Sequence, residues 1–181
     1  KATAPNPATP RVSRDGGALW KLSFTDVKNP LAGGTLTMLL DGSEQPLLSK
    51  PDNIEVDGKG NILIQEDPGG NDLVARLLAY RMSDGRLATV AKFKDVYFAP
   101  GAAQFITNDE ESSGVVDATR FLAKEGDARS YFLLNAQVHT PAAKARLDLV
   151  GNTAAQQQLI DSIEGGQVYL MTIDDWSKIY G

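Results

Sequence analysis

The stretch that decides the fold is NIEVDGKGNILIQ, residues 53–65. Its first half alternates polar and apolar residues, and its second half contains the apolar run Ile62–Ile64. Between them, Gly58-Lys59-Gly60 supplies glycines, which readily take the positive φ values of tight reversals. The pattern predicts a β-hairpin. An EF-hand loop starting at Asp57 is disfavoured, because Pro68 occupies the twelfth position, where a bidentate Glu is needed.

A second hairpin is predicted directly after the first. Residues 77–82 are largely apolar, Ser83-Asp84-Gly85 is typical of a turn, and residues 86–93 form the returning strand. Residues 53–93 therefore contain four consecutive predicted strands. Four antiparallel strands within about 40–50 residues are the content of one β-propeller blade.

Partial copies of this unit are predicted on both sides of it. Residues 18–40 contain two strands, and the C-terminal unit contains four, at Gln104–Thr107, Gly114–Asp117, Tyr131–Leu134 and Gln167–Met171. We therefore expect an all-β chain built from antiparallel four-stranded blades of a β-propeller, a partial propeller in this chain. The expected units are one incomplete blade at 17–48, one blade at 51–94 and one blade with an insertion at 102–174.

Two segments fall outside this strand pattern. Residues 1–16 begin with the Ala-, Pro- and Thr-rich run KATAPNPATP and are expected to be a linker or a processed end, so that residues 17–175 form C-terminal blades. Residues 153–164 contain good helix formers, with Leu159, Ile160 and Ile163 on one face. With a shorter helix before them, they predict a short helical insertion near 142–164 that covers a blade edge.

The composition excludes several classes of function. The 181 residues carry a net charge of −5 without a basic stripe, which argues against nucleic acid as a partner and favours hard cations. The chain has no cysteine, which excludes disulfides, zinc thiolate sites and Cys nucleophiles within it. Its apolar runs are strand-sized, so no membrane span is expected.

Two acidic clusters each follow an apolar segment. The first is Gln65-Glu66-Asp67 and the second is Asn108-Asp109-Glu110-Glu111. Crowded carboxylates repel each other unless a positive charge lies between them, and calcium takes six to eight oxygen ligands. In a propeller blade, the innermost strand starts on one face of the propeller, and the next strand ends on that same face. Asp52 and Asn53 are therefore expected beside Glu66 and Asp67, near a central channel.

Both clusters have other interpretations. The first fits solvated loop acids beside a turn equally well. The second joins the first if residues 105–106 lie in the second strand of a blade, and lies on the opposite face if they lie in the inner strand. Ser112-Ser113-Gly114 is also typical of a tight turn, which accounts for part of the second motif without any ligand.

The remaining residues with functional chemistry favour structural roles. His139 is the only histidine, and no G-x-S-x-G elbow accompanies it, so we expect it to be structural rather than part of a catalytic triad. Trp20 and Trp176 are most simply explained as packing residues.

Five runs of this chain together resemble a known family. These are LWKLSFTDVKNPLAGGTLTMLLDG, PDNIEVDGKGNILIQEDPGG, QFITNDEESSGVVDATRFL, YFLLNAQVHT and EGGQVYLM, in that order. They are similar to the C-terminal part of PhoX-like bacterial proteins, known as an alkaline phosphatase family, and of a related uncharacterised secreted propeller family. The resemblance covers residues 17–173, and DNIEVDGKGNILIQED and TNDEESSG are its most specific parts.

The resemblance implies a periplasmic or secreted propeller that contains calcium and, in some members, is a phosphomonoesterase with calcium and iron. By analogy, the metal or site-rim positions are Asn53, Glu66, Asp67, Asp109 and Glu110. The chain departs from the family in having too few blades for a complete propeller and in lacking the cysteine of the iron site. Iron is therefore expected only together with residues outside this chain.

The sequence thus predicts a calcium-dependent phosphoric ester hydrolase to which this chain contributes C-terminal blades and part of the metal shell. Its expected partners are the remaining N-terminal propeller portion or another chain, with self-association through open blade edges and a phosphorylated small molecule as substrate. The alternative is a non-catalytic, calcium-stabilised structural or binding propeller of an extracellular assembly.

Overall fold

Three antiparallel sheets make up the part of the chain that the structure describes. The structure is a computed structural model, and it describes residues 17–67, 73–105, 107–139 and 166–181. The predicted linker at 1–16 and the predicted helical insertion near 142–164 lie outside the described residues.

The first sheet is a two-stranded hairpin. Strand β1 (Leu19–Phe24) pairs with β2 (Gly34–Leu40), and a 3-10 turn at Pro30–Ala32 lies between them. Position 34 requires glycine because the two strands approach closely there. A Cβ at this position would lie 2.5 Å from the carbonyl oxygen of Ser23 on the paired strand.

The second sheet contains four strands in chain order, as the sequence predicts. They are β3 (Pro51–Val56), β4 (Asn61–Glu66), β5 (Arg76–Arg81) and β6 (Leu87–Lys92). The first predicted turn is confirmed: Asp57 Oδ1 accepts hydrogen bonds from the backbone N–H groups of Lys59 (2.9 Å) and Asn61 (2.8 Å).

The third sheet is built around one long strand. Strand β9 (Ser130–Val138) pairs with β10 (Gln167–Ile173) on one edge. On its other edge lie two short strands, β7 (Glu110–Glu111) and β8 (Val115–Asp117), placed end to end. The three residues between these strands face two residues of β9, so the edge contains a bulge of one residue.

The predicted strand at Gln104–Thr107 is wrong. The backbone N–H of Phe105 donates to Ala102 O at 3.1 Å, which closes a turn where an extended strand was expected. Gly101, with φ of 78°, precedes this turn and interrupts the extended backbone. The first strand of the third sheet therefore begins at Glu110 instead.

Three short helices in the described residues were not predicted. They are α1 (Asp95–Phe98), α2 (Thr119–Leu122) and α3 (Trp176–Tyr180). Helix α3 starts at Asp175, whose side chain accepts from the backbone N–H of Ser177 at 2.8 Å. Nowhere in the described ranges is a helix long and apolar enough to cross a membrane.

The middle sheet separates two hydrophobic cores. On one face, residues of β4 and β5 pack with Leu19 and Leu40 at the base of the first hairpin and with Leu48. On the other face, they pack with side chains of the third sheet and of α3, including Phe132, Ile173 and Tyr180. All six residues of β4 are buried, which explains its continuous apolar run.

The fold class is confirmed at the level of an all-β chain with antiparallel four-stranded sheets. The described residues do not form a closed propeller, so the propeller remains a prediction. Trp176 packs as expected, edge-on to Phe132 and stacked on Tyr180. The expectation for Trp20 is wrong, since 51% of its surface is exposed on β1.

Candidate functional site

The predicted ligand Glu66 lies in a buried ion pair. Its side chain is fully buried, and Arg76 donates to it twice, from Nε to Oε2 at 2.8 Å and from Nη2 to Oε1 at 2.7 Å. The backbone N–H of Ser49 donates to Oε1 at 2.9 Å, and Arg76 also donates to Leu47 O. Arg76 therefore already neutralises the Glu66 carboxylate and contacts both of its oxygens, so Glu66 fits a structural ion pair better than a metal ligand.

The start of β3 lies beside the end of β4. Pro51 pairs with Glu66, and the next residue, Asp52, lines a pocket of about 240 Å³ together with Lys50 and Asp67. The Asn53 side chain donates from Nδ2 to Asp52 Oδ2 at 2.7 Å. The structure thus brings these residues to one end of the middle sheet, where the Asn53 amide binds Asp52 and the Glu66 carboxylate binds Arg76.

The two acidic clusters meet through Asp67 and Glu111. The pKa of Glu111 is raised, mainly by burial, and the negative charge of Asp67, to which its carboxyl is hydrogen-bonded, raises it further. His139 opposes this shift, with its Nε2 at 3.5 Å from Glu111 Oε1. The backbone N–H of His139 also donates to Asp109 O at 2.9 Å. Of the two placements open to the second cluster, the structure shows it at the end of the sheets where Asp67 lies.

Glu110 is the predicted residue whose environment is most unusual. Only 1% of its surface is exposed. Its Oε1 accepts from the backbone N–H of Ala75 at 2.8 Å, while its buried Oε2 has no hydrogen-bond partner among the described residues. Burial raises the pKa of Glu110 to about 6, and the charge of Asp109 adds to this rise.

Gln65 also has a buried side-chain oxygen that lacks a hydrogen-bond partner. Its Nε2 donates to Ser112 Oγ and to Gly114 O, both of which lie in the bulge between β7 and β8. Its Oε1 is buried and has no partner within the described part of the chain. Sequence reasoning gave Gln65 and Glu111 no ligand role, although both stand in the acidic runs that it singled out.

The residues fit a calcium site only in part. Buried oxygens without a donor, as on Glu110 and Gln65, are satisfied by a cation or by water. The described ranges contain no group of three His, Asp or Glu side chains close enough to hold an ion by themselves. The shell of six to eight oxygens would therefore need carbonyls, water or further residues.

Comparison with known proteins gives no match to a family, to a curated protein or to a solved structure. The function of the chain is therefore argued from the residues of this site.

Proposed function

We propose that this chain is part of a periplasmic or secreted, calcium-dependent phosphoric ester hydrolase with a β-propeller fold. The observation that supports it most is the buried Oε2 of Glu110, which has no hydrogen-bond partner among the described residues and follows in sequence beside Glu111, whose carboxyl meets Asp67. A carboxylate that is desolvated without a positive partner costs free energy, and a divalent cation at this position would offset that cost.

In this proposal Glu110 is the buried ligand from the chain, Asp67, Asp109 and Glu111 lie at the rim, and the rest of the shell comes from carbonyls, water or further residues. Glu66 has a structural role instead, because its pair with Arg76 joins β4 to β5. When bound, calcium supplies positive charge for phosphate oxygens in the transition state. Glu110 would hold the ion through Oε2, and the hydrogen bond from Ala75 N–H to Oε1 fixes the orientation of its carboxylate.

The sheets are proposed to be propeller blades. Both four-stranded sheets are antiparallel, and sheets on either side of the middle sheet pack against its two faces, as neighbouring blades do. The missing blades come from a further propeller portion or from another chain. Iron takes part only together with residues that such a portion supplies.

A non-catalytic calcium-stabilised propeller is the second candidate. It uses the same ion site but requires no substrate there, and the buried pair of Glu66 with Arg76 already has a purely structural role at this end of the sheet.

The test combines a stability measurement with an activity measurement on the intact protein. We expect CaCl₂ to raise the melting temperature relative to EDTA, and we expect hydrolysis of 4-nitrophenyl phosphate that EDTA abolishes. Glu110→Gln should abolish both effects and Asp67→Asn, at the rim, should weaken them, while Asp84→Asn, on an exposed turn, should leave them unchanged. A calcium-dependent melting temperature without turnover would favour the second candidate, and no effect of calcium on either would refute both.

A further inference from the structure

A pocket of about 300 Å³ lies between the middle sheet and the third sheet. It continues the second core toward the end of the sheets where the candidate site lies. Its apolar walls are formed from the middle sheet by Leu77, Ala91 and Phe93, and from the third sheet by Leu134, Ala136 and Tyr169. Both walls belong to this chain, and the pocket lies between the inner faces of two packed sheets.

The pocket exists because two of the facing side chains are small. Ala91 pairs with Leu77 in the middle sheet, and Ala136 lies one inward position beyond Leu134 on β9. Protein interiors are close-packed, with few voids larger than a water molecule, and an engineered cavity of about 150 Å³ binds benzene. A pocket of about 300 Å³ therefore exceeds a packing defect and has room for two fused rings. Ala91 and Tyr169 are also exposed, so a ligand can enter from solvent.

The polar groups of the walls already have partners. Arg76 forms the buried pair with Glu66. Lys92 Nζ lies 2.6 Å from a carboxylate oxygen of Asp95, and Ser112 Oγ donates to the backbone of β9 at 2.7 Å. A sugar or polyol would lose its hydrogen bonds to water here without replacing them. The pocket therefore favours an apolar occupant.

The two aromatic residues of the walls favour a flat ring as that occupant. The ring of Phe93 is held edge-on by the buried ring of Phe98 in α1, with centroids 5.3 Å apart. Tyr169 lies on the opposite wall, next to Leu134 in the register of β9 and β10. Packed sheets are roughly 10 Å apart, and aromatic rings gain from offset or edge-to-face contact with one another.

The pocket adjoins the residue that supports the proposed ion site. Ser112, in its wall, lies two residues after Glu110. Arg76, also in its wall, directly follows Ala75, whose N–H donates to Glu110 Oε1 at 2.8 Å. A ligand with its ring in the pocket would therefore have its polar substituent at the end of the sheets where Glu110 lies.

We propose that this pocket binds the aromatic group of a small molecule, and that the substrate of the proposed hydrolase is an aryl phosphoric monoester. In the reaction, the oxygen of water bonds to phosphorus, the aryl oxygen leaves with the bonding electrons and takes up a proton, and the products are a phenol and inorganic phosphate. The choice of substrate rests on the proposed function, whereas binding of the aromatic group does not.

The first experiment measures binding of 2-naphthol in calcium-free buffer, followed by its own fluorescence. Ala91→Leu and Ala136→Leu each fill the pocket from one wall, and Ala128→Leu makes the same change at an exposed position outside it. We expect the wild type and Ala128→Leu to bind with a dissociation constant at or below about 1 mM, which suits a ligand of roughly eleven heavy atoms. Both filled variants should bind at least about tenfold more weakly. Since filling a void is commonly stabilising, their melting temperatures should not fall.

The second experiment compares kcat/KM for 2-naphthyl phosphate and glycerol 1-phosphate with calcium present. We expect a preference of roughly tenfold to hundredfold for the aryl ester, as burial of an aromatic group provides, and we expect both filled variants to lose it.

The outcomes separate this proposal from the proposed function. If 2-naphthol shows no saturable binding, or if both filled variants still bind it as the wild type does, the pocket is not a site for aromatic ligands. Equal hydrolysis of the two esters would overturn the substrate class. Binding that the filled variants weaken, without turnover of either ester, would refute the hydrolase alone and support the pocket.

Discussion

Replacing Arg76 by Met is expected to destabilise the protein strongly, because it leaves the carboxylate of Glu66 buried without its cation. Removing one partner of a buried ion pair typically costs about 3–5 kcal/mol. Met retains an apolar stem of similar length, so the substitution tests the charge and the hydrogen bonds more than the packing.

The magnitude can be worked from the contacts of the pair. Arg76 contributes hydrogen bonds of 2.8 Å and 2.7 Å to Glu66, and hydrogen bonds to charged groups are worth roughly 1.5–3 kcal/mol each. After the substitution, only Ser49 N–H remains as a donor to Oε1. The sum of the two bonds agrees with the range for broken buried pairs, and for a chain of this size it corresponds to a melting temperature lower by roughly 6–20 °C.

Urea denaturation at neutral pH, followed by tryptophan fluorescence, measures this change. Asp84→Asn is the control, because the Arg81–Asp84 pair has similar geometry, with Nη2 and Oδ2 2.5 Å apart, but is solvent-exposed and should contribute little. The double variant Glu66→Leu with Arg76→Met should recover most of the loss, since no unpaired charge then remains. If Arg76→Met costs no more than Asp84→Asn, Glu66 is not held in a dry ion pair and its exclusion as a metal ligand is wrong.

Three further predictions concern single positions. In calcium-free buffer, Glu110 stabilises the fold below about pH 4.5 and loses this contribution as the pH rises through about 6, because burial raises its folded-state pKa; Glu110→Gln should remove that part of the pH dependence, as measured by urea denaturation from acid to neutral pH. Gly34→Ala should destabilise the first hairpin, because its Cβ would lie 2.5 Å from the backbone of the paired strand. Gly58→Ala should not, because a Cβ there has nothing within 4 Å, and thermal unfolding compares the two variants. Tyr180→Phe should cost about 1–3 kcal/mol, because its hydroxyl donates at 2.9 Å to a buried amide oxygen of β4, while Tyr169→Phe, at an exposed hydroxyl, should be nearly neutral in the same assay.

The middle sheet could be predicted from the sequence because its signals are local. Alternation in β3, the glycines of the turn and the apolar run of β4 lie within a few residues of one another, and each favours the same hairpin. The turn residue Asp57 adds hydrogen bonds to its own neighbours, which again needs no distant partner.

The third sheet could be predicted only in part, because its pairing is set by a distant strand. The apolar residue Phe105 favours a strand locally, yet it closes a turn. Two consecutive glutamates do not favour a strand, yet Glu110 and Glu111 pair with the end of β9, whose nine residues extend past β8. Tertiary context decides both cases.

The candidate site shows the same limit. The sequence places Glu66 and Asp67 at the end of a strand. It does not show which of the two carboxylates is buried and forms an ion pair with a basic side chain of the same chain. Arg76, ten residues later and on the neighbouring strand, is what occupies Glu66. A carboxylate near a basic residue in sequence is common, so only coordinates could separate an ion pair from a metal ligand.

The bulge beside β9 has a consequence for how this protein can vary. Glu110 and Val115 both face inward although five positions separate them, because the extra residue between β7 and β8 reverses the alternation. If β7 slid by one residue along β9 and the bulge disappeared, Glu111 would take the inward place opposite Val138. Because Glu110 and Glu111 are the same residue type, a glutamate faces the interior in either register. A one-residue insertion or deletion between β7 and β8 would therefore still leave a buried glutamate at this place.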